Sequence, residues 1–164
     1  MAQVFSFVCR DCGKRHEGSP SLSFASPFFW DDDAERIPWK TDITSDLCIV
    51  DSESYFIRCV LEIPIIGASE PFTWGVWVSQ SRENFLAYSD AFPNTPERIT
   101  FGYLANRIPG YPDTLNLHTQ AHWRTSSLRP WIELEAGDHP LYRDYLHGIS
   151  WETAVGLAAA SYHE

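Results

Sequence analysis

The chain has 164 residues, 44% hydrophobic and 15% aromatic, which is enough to build a real core and excludes a disordered chain. Acidic residues outnumber basic ones by 22 to 12, a formal net charge of -10, and no Lys/Arg stripe is present. That balance argues against a nucleic-acid partner; it is compatible with a basic protein partner and equally with plain solubility.

No apolar stretch approaches the ~18–20 residues that span a bilayer. The start, Met1-Ala-Gln-Val-Phe-Ser-Phe-Val, lacks a basic segment followed by a long apolar run. The expectation is a cytoplasmic protein with no membrane partner. The 4 cysteines are too few for a disulfide scaffold and would stay reduced there.

In chain order, Gln3 to Val8 reads as a short strand running into Cys9-Arg-Asp-Cys12-Gly13, with His16 beyond. A strand delivering Cys-x-x-Cys-Gly has the form of a zinc knuckle, because the turn aims both thiolates at one point and glycine tolerates positive φ. A redox pair is the rival, but such pairs sit at a helix start, and Gly13, Gly18 and Pro20 disfavour a helix. Two unrelated thiols are the plain alternative. Structural zinc prefers four ligands. His16 and Cys48 are the candidates to join Cys9 and Cys12, with Cys48 on an expected strand, Asp46–Val50, beside the N-terminal one. Cys59 alternates with Ile57 and Leu61 and reads as a small core residue.

Ser19 to Ser45 is irregular, with Pro20, Pro27 and Pro38 and the run Asp31-Asp32-Asp33. Those carboxylates read as a solvated turn ahead of a hard-cation site. Phe28, Phe29, Trp30 and Trp39 imply that the segment lies down on the core.

Tyr55 to Ser79 organises the rest. Tyr55, Ile57, Cys59, Leu61 and Ile63 share one face, and after a loop at Gly67–Pro71 so do Phe72, Trp74, Val76 and Val78. β-branched and aromatic alternation bounded by Gly and Pro marks two paired strands. Ser81 caps a helix to about Phe92. Arg98 to Asn106 follows as a strand with Ile99, Phe101, Tyr103 and Ala105 on one face. In Thr114 to Arg124, Leu115, Leu117, Thr119, Ala121 and Trp123 point inward, opposite Asn116, His118, Gln120, His122 and Arg124. Pro130 to Glu135 is a final strand with Ile132 and Leu134 inward. A short helix runs from His139-Pro140 to His147-Gly148, capped by Asp138, and Ser150 caps a last helix, Trp151 to about Tyr162.

The combination Cys9-x-x-Cys12-Gly13-x-x-His16, Tyr55-Phe-Ile-Arg58, Leu61-Glu-Ile-Pro64, Phe72-Thr-Trp74-Gly-Val-Trp77-Val, Gly110-Tyr-Pro-Asp-Thr-Leu-Asn-Leu117, Arg129-Pro-Trp-Ile-Glu-Leu-Glu135 and His139-Pro-Leu resembles a bacterial family, the domain of unknown function numbered 2199. The resemblance spans nearly the whole chain and implies one bacterial domain. It transfers no catalytic residue.

The expected fold is α+β. A single domain, 1–164, holds an antiparallel sheet of about five to seven strands, a zinc knuckle in residues 1–20, and helices from 81–92 and 139–162 covering one face. No nucleophile elbow, phosphate loop or His-Glu-x-x-His is present. The row His118, Gln120, His122 and Arg124 is the one suspect surface, either a polar binding face or the solvated side of a sheet. Two histidines some ~13–14 Å apart along one strand cannot chelate one ion by themselves. The functional expectation is a non-enzymatic binding protein with structural zinc, in one concrete form an immunity-type protein neutralising a basic toxin. The rival is a zinc-dependent or small-molecule enzyme working on the His118–Arg124 face, marked by a pocket containing His122 and Arg124.

Overall fold

The computed structural model describes residues 2–162. In chain order they form β1 (Ser6–Val8), β2 (Arg15–Glu17), β3 (Ser21–Ser23), β4 (Asp42–Ile43), β5 (Leu47–Val50), β6 (Ser54–Ile63), β7 (Phe72–Gln80), α1 (Arg82–Ala91), β8 (Ile99–Tyr103), β9 (His118–His122), β10 (Trp131–Leu134), α2 (Pro140–His147) and α3 (Trp151–Tyr162). The fold is α+β, with one large sheet and a small two-stranded sheet near the N-terminus.

β6 and β7 pair antiparallel from Tyr55↔Gln80 to Ile63↔Phe72, as their matched alternation predicts. The large sheet has 8 strands along β3-β7-β6-β10-β9-β8, with β5 and β4 added beside β6. It is mixed. β3 pairs parallel with β7, and β10 touches β6 in parallel at Trp131↔Val60. Side-chain alternation reports faces and not strand direction, which is why these two pairings are invisible in it.

β8 curls back toward β7. Leu104 forms a bridge with Val78, Ala105 N donates to Trp77 O at 2.9 Å, and Tyr103 N donates to Ser79 Oγ at 2.9 Å. Gly102 permits the approach, since a Cβ there would overlap Ser79 O and Val78 Cγ1. The inside of the curl carries Ile57, Cys59, Leu61, Trp74, Val76, Val78, Ala121 and Ile132 in one buried cluster. All three helices cover this face, through Phe85 and Tyr88 of α1, Leu141 of α2, and Ala154 and Ala158 of α3. On the reverse face a smaller cluster of Cys48, Phe56, Trp77 and Ala105 is covered by Phe24, Trp30 and Ile43.

Several local expectations are corrected. Residues 46–50 pair with β6 and β4 and do not lie beside the N-terminal strand. The 19–45 segment lies down only in part: Trp30 packs, whereas Phe28 and Phe29 are exposed and Trp39 is 73% exposed. Ile99, Phe101 and Tyr103 do share a face, as expected; it is exposed, with Thr100 and Leu104 buried on the other, while Ala105 beyond them is buried. The α2 cap is His139 and not Asp138. Its Nδ1 accepts from Leu141 N at 3.0 Å, doing with a ring nitrogen what a carboxylate does at other caps. Ser81 and Ser150 cap α1 and α3 as expected, accepting from Asn84 N and Thr153 N.

Candidate metal centre and open sheet face

β1 and β2 form an antiparallel hairpin with Phe7 opposite His16. Residues opposite one another share a face, and so do residues two apart on a strand. Cys9 therefore lands beside the His16 ring, and the turn between the strands brings Cys12 round to meet them. Gly13 N donates to Cys9 O at 2.8 Å and Cys9 N to Lys14 O at 2.9 Å, with Gly13 at φ 71 supplying the left-handed step. The ligand atoms of Cys9, Cys12 and His16 lie within 4.8 Å of one another, and Cys12 Sγ is 3.5 Å from His16 Nε2.

Two thiolates and an imidazole suit a soft or borderline divalent cation such as zinc, whose donors in a tetrahedron sit roughly 3.3–3.8 Å apart. The cluster is a possible metal site that needs only a small contraction. Its surroundings are rigid on one side: Cys9 is buried, Phe7 lies against the His16 ring at 5.2 Å, and Trp151 Nε1 donates to Ser6 O at 3.2 Å. Cys12, at the turn, is exposed.

Cys48 is not brought to this cluster. In β5 it sits opposite Phe56, on the reverse face of the sheet, whereas Cys9 belongs to the buried cluster of the inner face. Burial, with the charge of Asp42 second, pushes the Cys48 thiol up to about 12, the state of an inert core thiol. Cys59 is the buried core residue its alternation implies, its thiol also pushed up by desolvation.

The second suspect surface holds together more fully than its own strand indicates. β9 sits between β8 and β10. His118 therefore has Tyr103 on one side, Gln120 has Phe101 and Glu133, and His122 has Ile99 and Trp131. His118 Nδ1 lies 3.2 Å from Glu135 Oε2, Gln120 Nε2 donates to Glu135 Oε1 at 2.7 Å, and His122 Nε2 lies 3.1 Å from Glu133 Oε1. The His122 ring stacks on Trp131 at 3.7 Å, and Phe101, Tyr103 and His118 meet edge to face. Ile99, Phe101, Tyr103 and Trp131 are all exposed. Arg124 lies just beyond the strand, half-buried, at the wall of a cleft of about 510 Å³ that also takes in His122, Trp131 and Arg98. The aromatic and acidic members of this face were each visible as alternating residues. The register that brings them to the histidines was not.

The protein is thus an α+β chain with a Cys/His cluster at its N-terminal hairpin and an open face of paired histidines, acids and aromatics. It belongs to a bacterial family: the model for an uncharacterized protein conserved in bacteria (DUF2199) matches residues 8–149, a span that includes both features. No curated protein and no solved structure matches the chain. Among the described residues no helix is long and apolar enough to cross a membrane.

Proposed function

We propose that the chain is a non-enzymatic binding protein of the cytoplasm, folded as one domain, whose N-terminal hairpin is held by a structural zinc ion on Cys9, Cys12 and His16. The observation that carries the reading is the convergence of three donor atoms from a turn and its returning strand. The turn between the two three-residue strands carries the exposed Cys12 and has little packing to hold it in place, and a metal tie to the buried Cys9 supplies what packing there does not. A tetrahedral zinc takes a fourth donor, and Cys48, packed on the reverse face, is not that donor. With a net charge of -10, the natural protein partner is basic, and steering by charge would make association slow down as salt screens the field over about 8–10 Å.

Metal analysis of protein purified without chelators tests the zinc: about one ion per chain is expected. Folded protein without metal overturns it. Cys12→Ser is the diagnostic variant, because an exposed cysteine has almost no packing to lose. It should lose zinc and melt at lower temperature, and the difference from wild type should vanish once both are chelated. Replacing the other histidines one at a time, His118, His122, His139, His147 and His163, shows whether any of them supplies the fourth donor.

A second reading has one observation in its favour. His122 and Arg124 share a cleft, and His122 is held by Glu133, an arrangement that can hand a proton to a bound small molecule. Turnover abolished by His122→Phe, which keeps a ring to stack on Trp131 and removes the ring nitrogens, would favour it over binding alone.

A further inference from the structure

Arg124 is fixed in place but not used up. Its Nε donates to Arg129 O at 2.6 Å, and Arg129 Nε donates to Asp46 Oδ1 at 2.8 Å, so a backbone carbonyl and an ion pair set where the Arg124 head stands. Among the described residues no carboxylate pairs with Arg124, and no hydrogen bond engages its two terminal nitrogens, although the chain has 22 acidic side chains. Asp46 is engaged by Arg129. Arg58, which donates to Ser45 O next door, is pushed below its ordinary pKa by burial and then by the Arg129 charge. Arg58 and Arg129 thus stand beside Asp46, and Arg124 joins them through the Arg129 carbonyl, in an otherwise acidic protein.

Arg124 and Trp131 line two adjoining clefts. Beside the one that holds His122, a second of about 460 Å³ is walled by Val60, Pro64, Trp131, Leu146 and Tyr145 together with Arg124. That volume lies in the range of small-molecule sites, and its walls combine apolar side chains with one cation, Arg124, and one acid. Glu62 is the acid on this lining and Glu97 the acid on the other.

We propose that the cleft binds a small organic oxyanion, a carboxylate or a phosphate on an apolar body. The paired N–H edge of Arg124 holds the oxyanion, since a guanidinium matches two oxygens at once, and the body lies against Trp131, Val60 and Pro64. Glu62 and the net negative charge work against polyanions, so the site takes one anionic group and not a chain of phosphates. The inference uses part of the cleft of the second reading but needs neither turnover nor zinc.

The test is NMR titration of the full chain with 2-naphthoate, 2-naphthyl phosphate and the neutral 2-naphthalenemethanol, read at the indole N–H of Trp131. At least one of the two anions should shift that signal saturably, with a Kd of about 1 mM or tighter, the level expected for a ligand of this size. The anions separate the two sources: whichever binds more tightly names the head group. The neutral alcohol should bind at least tenfold more weakly, Arg124→Gln should cost about tenfold or more, and Arg124→Lys should fall between, because it keeps the charge and loses the fork. Arg36→Gln, a surface change elsewhere, should leave binding alone. If Arg124→Gln does not fold, Arg124→Lys carries the test at the same Trp131 signal. Binding indifferent to Arg124, equal affinity for the alcohol, or no saturable shift up to about 10 mM of either anion overturns the proposal.

Discussion

Trp74 and Trp131 stand on strands of the same sheet, each at a position its alternation defines, yet Trp74 is 3% exposed and Trp131 39%. The inner face receives all three helices and becomes one continuous core. The reverse face receives only the 24–43 segment, over Phe56 and Trp77, and its β8–β9–β10 half stays open. Alternation therefore decides which residues share a face, while burial depends on what the chain later lays across that face. The half left uncovered is where polar pairing and aromatic stacking accumulate.

The sharpest way to break this contrast is to truncate the two tryptophans. Trp74→Ala should cost roughly 3–5 kcal/mol in urea denaturation, from lost transfer energy and the cavity left behind. Trp131→Ala should cost less than about 1 kcal/mol, and similar losses for the two would mean that the outer face is covered in solution. Gly102→Ala comes next. Its new methyl has nowhere to go but into Ser79 O and Val78 Cγ1, and about 1–3 kcal/mol of overpacking is expected. A neutral result would mean that β8 does not close onto β7.

A pH series separates the faces less, since both hold a buried thiol. Cys48 is held up to about 12 and Cys59 is raised further by complete burial. Above the ordinary thiol value the unfolded chain loses these protons while the folded chain keeps them, so the unfolded state gains. Stability falls as pH rises from about 8.5 toward 12, each thiol adding up to about 1.4 kcal/mol per unit. Cys48→Ala should flatten the fall between about pH 8.5 and 10. A profile unchanged by that substitution would show that the thiol is not buried. The smallest effect is expected at His118→Ala, within about 0.5 kcal/mol of wild type, because its pair with Glu135 is solvent-exposed. A larger loss would make the His–Glu ladder structural.

Much of this was legible in the chain. Period-two patterns named the faces correctly at Tyr55–Ser79 and in the second half of Thr114–Arg124, where the strand forms only over His118–His122; Ser81 and Gly148 marked helix ends through their own chemistry, and the Cys9–Gly13 turn with His16 foretold the cluster. What failed was long-range. Cys48 looked like a ligand because alternation cannot say which side of the sheet a strand's odd residues occupy until its partner is known. Alternation puts Ile99, Phe101 and Tyr103 on one face but cannot say that nothing covers that face. Asp138 lost the cap to His139, whose ring nitrogen sits where a carboxylate was expected.

The return of β8 to β7 has a bearing on how the molecule behaves in a crowd. A sheet ending in a bare strand offers a row of free backbone groups to any extended chain nearby. Here the carbonyl of Phe101 is engaged by the Gln80 side chain, the amide of Tyr103 by Ser79, and that of Ala105 by the Trp77 carbonyl. At the opposite end β3 is only 3 residues long. Neither border is a good template for another strand, so the exposed aromatics of β8 can face water without inviting edge-to-edge aggregation.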